Sequence, residues 1–189
     1  GLPAANTRGG VTCYGASAWP LATAGDVPVV AAATLGEGRV VVTTQGSLFD
    51  AYALGNETTR EFALRTLRWL GRSKRKAKLG ILDVGSLPVA QALEWDWVRP
   101  YTKADVVVVS GEQLTPGFLE PLHAWVMEGG GVLLVTPDWT PKSEQPPKAD
   151  GRDSTANRFL APFGLAIDGR ETNGVDVLTI TPPATVQHA

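Results

Sequence analysis

Four consecutive valines, Val106 to Val109, sit inside the run Asp105 to Ser110. A strand with one wet face alternates apolar and polar residues, whereas an unbroken branched run must be covered on both faces. That situation belongs to a parallel strand with helices above and below it. The neighbouring residues supply the cover. Thr115-Pro116 opens a helical pattern in which Phe118, Leu119, Leu122 and Val126 form one stripe, and Gly129-Gly130-Gly131 stops it. Val132 to Val135 follows as another buried strand, and Leu79 to Val84 precedes as a third. Between them, Gly85-Ser86 turns and caps a short helix over Leu87 to Glu94, with Pro88 tolerated in its first turn. Residues 79–135 are thus expected to form a βαβαβ run with right-handed crossovers and a parallel sheet.

The first third of the chain has a different rhythm. Val27 to Leu35 and Arg39 to Thr44 are Val- and Ala-rich, and Gly36-Glu37-Gly38 joins them as a hairpin of antiparallel strands. Val11 to Gly15 can add a strand, Trp19-Pro20 and Gly25-Asp26 carry turn chemistry, and the opening decapeptide is expected to be loose. Thr58 and Glu61 have the spacing of a capping box, ahead of a helix whose stripe is Phe62, Leu64, Leu67, Trp69 and Leu70 and which Gly71 ends. This helix should pack on the hairpin sheet. The basic segment 72–78 then reads as a solvated linker, dividing a hairpin-plus-helix part (1–72) from the βαβαβ region (79–182) within one domain. Its alternative is a phosphate or anionic-lipid contact. Residues 137–155, with four prolines, read as an irregular loop before a short helix at Asn157 to Ala161. Leu165 to Ile167 and Val177 to Ile180 are expected to close the sheet's edge.

With 189 residues, 43% of them hydrophobic, the chain buries roughly 70% of its extended surface and needs neither disulfide nor metal to hold it together. Cys13 is the single cysteine, which excludes an internal bridge and a zinc ribbon. Seventeen basic residues against nineteen acidic give a net charge of −2, without the basic footprint of a nucleic-acid binder. No apolar run reaches the ~18 residues of a membrane span, and no charged-then-apolar signal opens the chain.

Ligands of open α/β sheets bind beyond the carboxyl ends of the strands. Here that face comprises Gln45-Gly46-Ser47, Asp83 to Ser86, Ser110-Gly111-Glu112 and Thr136 to Trp139, so the candidate binding residues are Gln45, Ser47, Asp83, Ser110, Glu112, Asp138 and Trp139. The acids Asp83, Glu112 and Asp138 could hold a hard cation; their commoner role is to cap turns. Ser110 ends a strand before a helix, but Val108 stands where a nucleophile elbow needs glycine. Cys13 lacks that glycine too and reads as a partly buried structural thiol. His123, inside a helix, and His188, in the tail, read as surface histidines. No dinucleotide or P-loop glycine motif occurs, so no cofactor is expected. Trp95 and Trp97 are either core or an exposed patch suited to a protein or sugar contact.

Gly-Val-Thr at 10–12, Gly15 to Pro20, Val27 to Ala33, Gly36 to Val42, the Leu-Arg-Trp-Leu of Leu67 to Leu70, Gly129 to Leu133 and Asn157 to Gly164 together resemble the N-terminal region of the melastatin-channel-associated factor (TCAF) family. The resemblance runs over nearly the whole chain. It implies a class I glutamine amidotransferase-like, flavodoxin-like fold, mainly parallel with an N-terminal antiparallel hairpin extension. It also implies loss of the amidotransferase's catalytic cysteine and histidine, and a place ahead of an enhancin-like zinc-peptidase region. Thr136 to Thr140 departs from the family's Gly-Gln-Ala-Trp type of segment, and only Trp139 carries over. The peptidase's H-E-x-x-H is absent. The implied role is a non-catalytic accessory module that binds a downstream peptidase-like domain, a membrane-protein partner or a glycan, without nucleic acid or membrane insertion. It would be cytoplasmic in an animal TCAF-type protein and secreted with a bacterial peptidase. The alternative is a small-molecule hydrolase or metal-dependent enzyme using Asp83, Glu112, Asp138 or Ser110.

Overall fold

The computed structural model describes residues 2–3, 8–82, 91–111, 114–136, 154–171 and 177–180. Its strands and helices are, in chain order, β1 (Leu2–Pro3), β2 (Arg8–Cys13), β3 (Ala18–Ala24), β4 (Val27–Leu35), β5 (Gly38–Thr43), α1 (Ala51–Leu54), α2 (Glu57–Leu70), β6 (Lys78–Leu82), β7 (Asp96–Trp97), β8 (Val106–Ser110), α3 (Pro116–Met127), β9 (Gly131–Val135), α4 (Thr155–Leu160), β10 (Leu165–Glu171) and β11 (Val177–Ile180).

Nine strands form one sheet in the order β1-β11-β3-β4-β5-β9-β8-β6-β7. The pairs from β1 to β5 are antiparallel and those from β5 to β7 are parallel. The expected mainly parallel sheet is therefore corrected to a mixed one, half of each kind, because the N-terminal strands extend the sheet rather than decorate it. The join is β5: its Val40, Val41 and Val42 lie between Ala33, Ala32 and Ala31 on one side and Val132, Leu133 and Leu134 on the other.

The valine run of β8 behaves as its pattern requires. Val106 and Val108 enter the layer built with Phe62, Leu67 and Leu70 of α2, while Val107 and Val109 enter the opposite layer with Leu119, Leu122 and Val126 of α3. The β4–β5 hairpin turns at Gly36, whose φ of 57° is the left-handed conformation glycine adopts without penalty. α2 packs on this sheet as expected.

Several local readings are corrected by what surrounds them. Asn56, not Thr58, caps α2: its side-chain oxygen accepts from Thr59 N at 3.0 Å, leaving Glu61 to pair with Arg65 at 2.6 Å. Trp19 and Pro20 lie in β3, at a register irregularity between Pro20 and Ala22 and beyond the β11 pairing, where a missing N–H is tolerated. The opening residues are strand where described, and Leu2 is fully buried against the core. Residues 72–76 are exposed, as a solvated linker should be, and are tied down at two points: Arg72 bonds the carbonyl and carboxylate of Glu37, and Lys74 pairs with Asp105 at 2.6 Å.

At the other end of the chain, β10 leaves the main sheet and pairs with β2 as a separate ribbon. The buried amide of Asn157 occupies β10's edge, donating to Ile167 O at 2.9 Å and accepting from Ile167 N at 2.7 Å as a neighbouring strand would. β11 lies in the main sheet between β1 and β3, one strand in from the edge. The edge strand β7 was not foreseen. Of the helix expected over 87–94, residues 87–90 lie outside the described residues, Gln91 is helical and 92–94 form a turn; of the loop expected over 137–155, residues 137–153 lie outside them, while Ser154 caps α4 and Thr155 begins it.

Asp105 ties the amino ends of the parallel strands together. Its carboxylate accepts from Lys74 Nζ at 2.6 Å and from Lys78 N at 2.8 Å, while its carbonyl accepts from Gly131 N at 3.0 Å. Burial opposes ionisation, but these two donors outweigh it and hold the carboxyl below its ordinary value. A folded-state pKa below the unfolded value of about 3.9 contributes stability that is present above that value and is lost as pH falls through the folded one. Asp105→Asn should cost about 1–2 kcal/mol at pH 7. Urea titrations at pH 7 and at pH 3 check this, and a gap between variant and wild type that did not shrink in acid would contradict it.

Candidate functional site

The four parallel strands β5, β9, β8 and β6 end together, so their carboxyl ends make the ligand face that the fold class predicts. On the β5–β9 half this face is closed by its own hydrogen bonds. Thr136 donates through both its amide and its hydroxyl to Thr43 O, at 2.9 and 3.0 Å, and the Thr43 hydroxyl bonds Gln45 at 3.0 Å. Gln45 is fully buried and Ser47 half-buried, so of the foreseen binding residues on this half Gln45 belongs to the interior.

On the other half the structure opens. β6 leads outward to β7, whereas β8 leads inward through α3 to β9, so the chain departs in opposite directions from two adjacent strands. Such a topological switch is where an open α/β sheet leaves a crevice between two strand ends. A cavity of about 800 Å³ lies there. Ile81 and Leu82 of β6 and Val109 of β8 form its floor, Val98 to Tyr101 one wall, and Leu114, Thr115 and Phe118 the other. Tyr101 and Phe118 face each other with ring centroids 5.9 Å apart, and Tyr101 also meets Trp125 edge-on at 6.0 Å. Phe118, expected in the buried stripe of α3, is 38% exposed because the first turn of that helix overhangs the cavity rather than the core. Among the cavity's described lining residues the polar side chains are few: the Arg99 guanidinium, the Thr115 hydroxyl, which makes no capping bond, and the Tyr101 phenol. Mostly apolar lining with sparse polar groups is the composition of a binding pocket.

Ser110 is half-buried at the end of β8, in register with Val135. Asp83, Glu112, Asp138 and Trp139 lie outside the described residues. Among the described residues no group of three metal-ligating side chains occurs. His123 is not a surface histidine: its ring stacks on Phe159 at 4.9 Å and 7°, and its Nε2 bonds Phe159 O at 2.8 Å. About two helical turns from the start of α3, it is committed to packing rather than to Ser110. Cys13 is partly buried, and its thiol is pushed up by burial, which exceeds the opposing pull of Arg170. Trp95 is core, 5% exposed, whereas Trp97 on β7 is 47% exposed.

The cavity walls were missed in the sequence because they depend on β7. Without that strand no switch point exists, and the cue for it was slight: the short Trp97-Val98 apolar pair stopped by Pro100.

Comparison with known proteins fits this architecture. The TCAF N-terminal family model, described as "TRPM8, N-terminal domain", matches residues 4–181. TRPM8 channel-associated factor 1 of Homo sapiens is 29% identical over 154 residues, covering 77% of this chain and 15% of that protein. TRPM8 channel-associated factor 2 of Homo sapiens is 29% identical over 159 residues, with 82% and 16% covered. The chain thus spans about 15% of the length of these relatives. Among solved structures, IMPa from Pseudomonas aeruginosa in complex with an O-glycopeptide superposes with a TM-score of 0.65 at 15% identity, over 93% of this chain and 22% of that one. The IMPa metallopeptidase gives 0.64 at 13%, over 89% and 20%. These two share the fold, and the second is by name a metallopeptidase, as the enhancin-like resemblance implied. Matched by its model over almost all of its length, the chain belongs to the TCAF N-terminal domain family.

Proposed function

We propose that this chain is a protein-interaction module whose binding surface is the cavity between the ends of β6 and β8. The observation that carries this reading is the cavity's lining, an apolar floor under an aromatic rim at the place where the fold class puts ligands. A glycan would need many convergent hydrogen-bonding groups, whereas the three polar side chains among the described lining residues, around an apolar floor, suit a side chain of a protein partner. The relatives' name, channel-associated factor, supports association with a protein. The fact that the solved neighbours carry a similar region within longer chains supports an accessory place beside a peptidase-like domain. In this reading the parallel run from β9 to β7, with α2 on one face and α3 on the other, is the amidotransferase-like part of the fold, used for recognition instead of chemistry.

The first partners to test are soluble regions of a TRPM8 channel, measured by calorimetry against the purified chain. Phe118→Ser and Tyr101→Ala should each weaken binding about tenfold, as loss of an aromatic anchor does. Phe118→Ser should leave thermal unfolding close to wild type, since Phe118 stands outside the core. Undiminished affinity in both variants would remove the cavity from the reading.

A further inference from the structure

The cavity wall carries a positive charge, that of Arg99. Among the cavity's described lining residues Arg99 is the one cation, and none is a carboxylate. Arg65, Arg72, Lys74 and Arg170 pair with Glu61, Glu37, Asp105 and Asp168, whereas Arg99, like the exposed Arg75, Lys76 and Lys103, has no such pair among the described residues and is set apart by its place on the cavity wall. Arg99 is exposed and makes no ion pair among the described residues. A guanidinium at the lip of an apolar pocket is complementary to a ligand that places a carboxylate beside an apolar group, because its planar fork can bind both carboxylate oxygens at once.

The wall that bears Arg99 is also the free edge of the sheet. β7 is the terminal strand, and Val98 N bonds Leu79 O, so Val98 turns its polar groups inward to β6. Adjacent residues of a strand turn theirs to opposite sides, which directs the N–H and C=O of Trp97 outward, away from the sheet. An extended backbone running along β7 would meet these groups and pass directly over Val98 and Arg99 to the cavity. Pro100 limits the edge to a short stretch, which suits one segment and discourages open-ended strand addition.

We infer that the cavity takes an extended acidic-hydrophobic segment of a partner protein, with an aromatic or branched side chain in the pocket and a neighbouring Asp or Glu on Arg99. This inference rests on the cavity reading above and adds the chemistry of the partner. It is specific: charge sets which segments bind, and the apolar side chain sets whether any does.

The test uses three fluorescein-labelled probes, acetyl-Gly-Asp-Phe-Asp-Gly, acetyl-Gly-Lys-Phe-Lys-Gly and acetyl-Gly-Asp-Gly-Asp-Gly, titrated with the whole chain by anisotropy at low and moderate salt. The Asp-Phe-Asp probe should bind, the Lys-Phe-Lys probe at least about tenfold more weakly, and the probe without phenylalanine weakest of all. Arg99→Glu should invert the order of the first two without changing the melting temperature, and Phe118→Ser should weaken both. Equal binding of the first two, or an order unmoved by Arg99→Glu, would overturn the inference. If both bind equally and lose affinity with Phe118→Ser, the cavity reading stands without it. If neither binds, the inference is wrong; the cavity reading then falls only if the channel region also binds the Phe118→Ser chain as it binds wild type.

Discussion

Replacing Phe159 with alanine should lower the folding free energy by about 3–5 kcal/mol, the usual cost of removing a buried phenylalanine ring. Phe159 is fully buried in the layer between α4, α3 and the sheet. One face of its ring lies flat against His123, and Phe163 packs against it at 5.4 Å, so truncation opens a cavity between aromatic neighbours that cannot close over it without moving backbone. For a domain of this size the loss corresponds to a drop in melting temperature on the order of 10 °C. The effect should reach the binding surface as well. The ring of His123 stacks on that of Phe159, and the same helix carries Phe118 at its first turn, so loss of the stacking surface loosens α3 and one wall of the cavity with it. Calorimetric unfolding of the variant checks the first part, and a shift of only a degree or two would show that the site collapses far better than its packing implies.

Gly164→Ala should be nearly as damaging, by a different route. Gly164 ends the turn after α4 at φ 70° and ψ 30°, a left-handed conformation. An added Cβ would overlap Gly15 Cα and lie 2.5 Å from Gly15 N, where the two backbones touch. The same Gly164 carbonyl accepts from Tyr14 N at 2.8 Å and Gly15 N at 3.1 Å, so the chains cannot separate without breaking the contact that holds the β2–β3 connection to α4. Left-handed strain and backbone overlap together suggest a loss of roughly 2–5 kcal/mol. Gly169→Ala is the control, because nothing stands within 4 Å of its added carbon. Equal stability of the two variants in urea would refute the backbone-contact argument.

Much of the architecture was legible because it rests on local pattern. The valines of β8, the hairpin at Gly36, the stripe of α2 and the stop at Gly129 to Gly131 each follow from periodicity or turn chemistry, and each stands where expected. The misreadings share a cause, since at each a neighbour distant in sequence supplies the deciding partner. Asn56 and Thr58 are both competent caps, and only the angle at which the chain enters α2 selects Asn56. β10 has the composition of a sheet strand, but Asn157 satisfies the edge by which it would have paired with more. His123 sits on a helix with an exposed face, yet Phe159 arrives from 36 residues away to cover it.

The candidate site divides in the same way. Ligand binding at the carboxyl ends of the strands follows from fold class, and Ser110 and Gln45 were placed at that edge by strand pattern alone. Which half of the edge is open depends on strand order, and strand order is a long-range property. Local periodicity determined that this chain forms a parallel core with an antiparallel hairpin beside it, because side-chain spacing decides which faces must be buried. The tertiary structure alone decided that β7 pairs outside β6, that β5 joins the two halves into one mixed sheet, and that the crevice opens between β6 and β8. Pairing between strands is chosen by backbone hydrogen bonds and packing among residues far apart in the chain, and no local run of sequence records that choice.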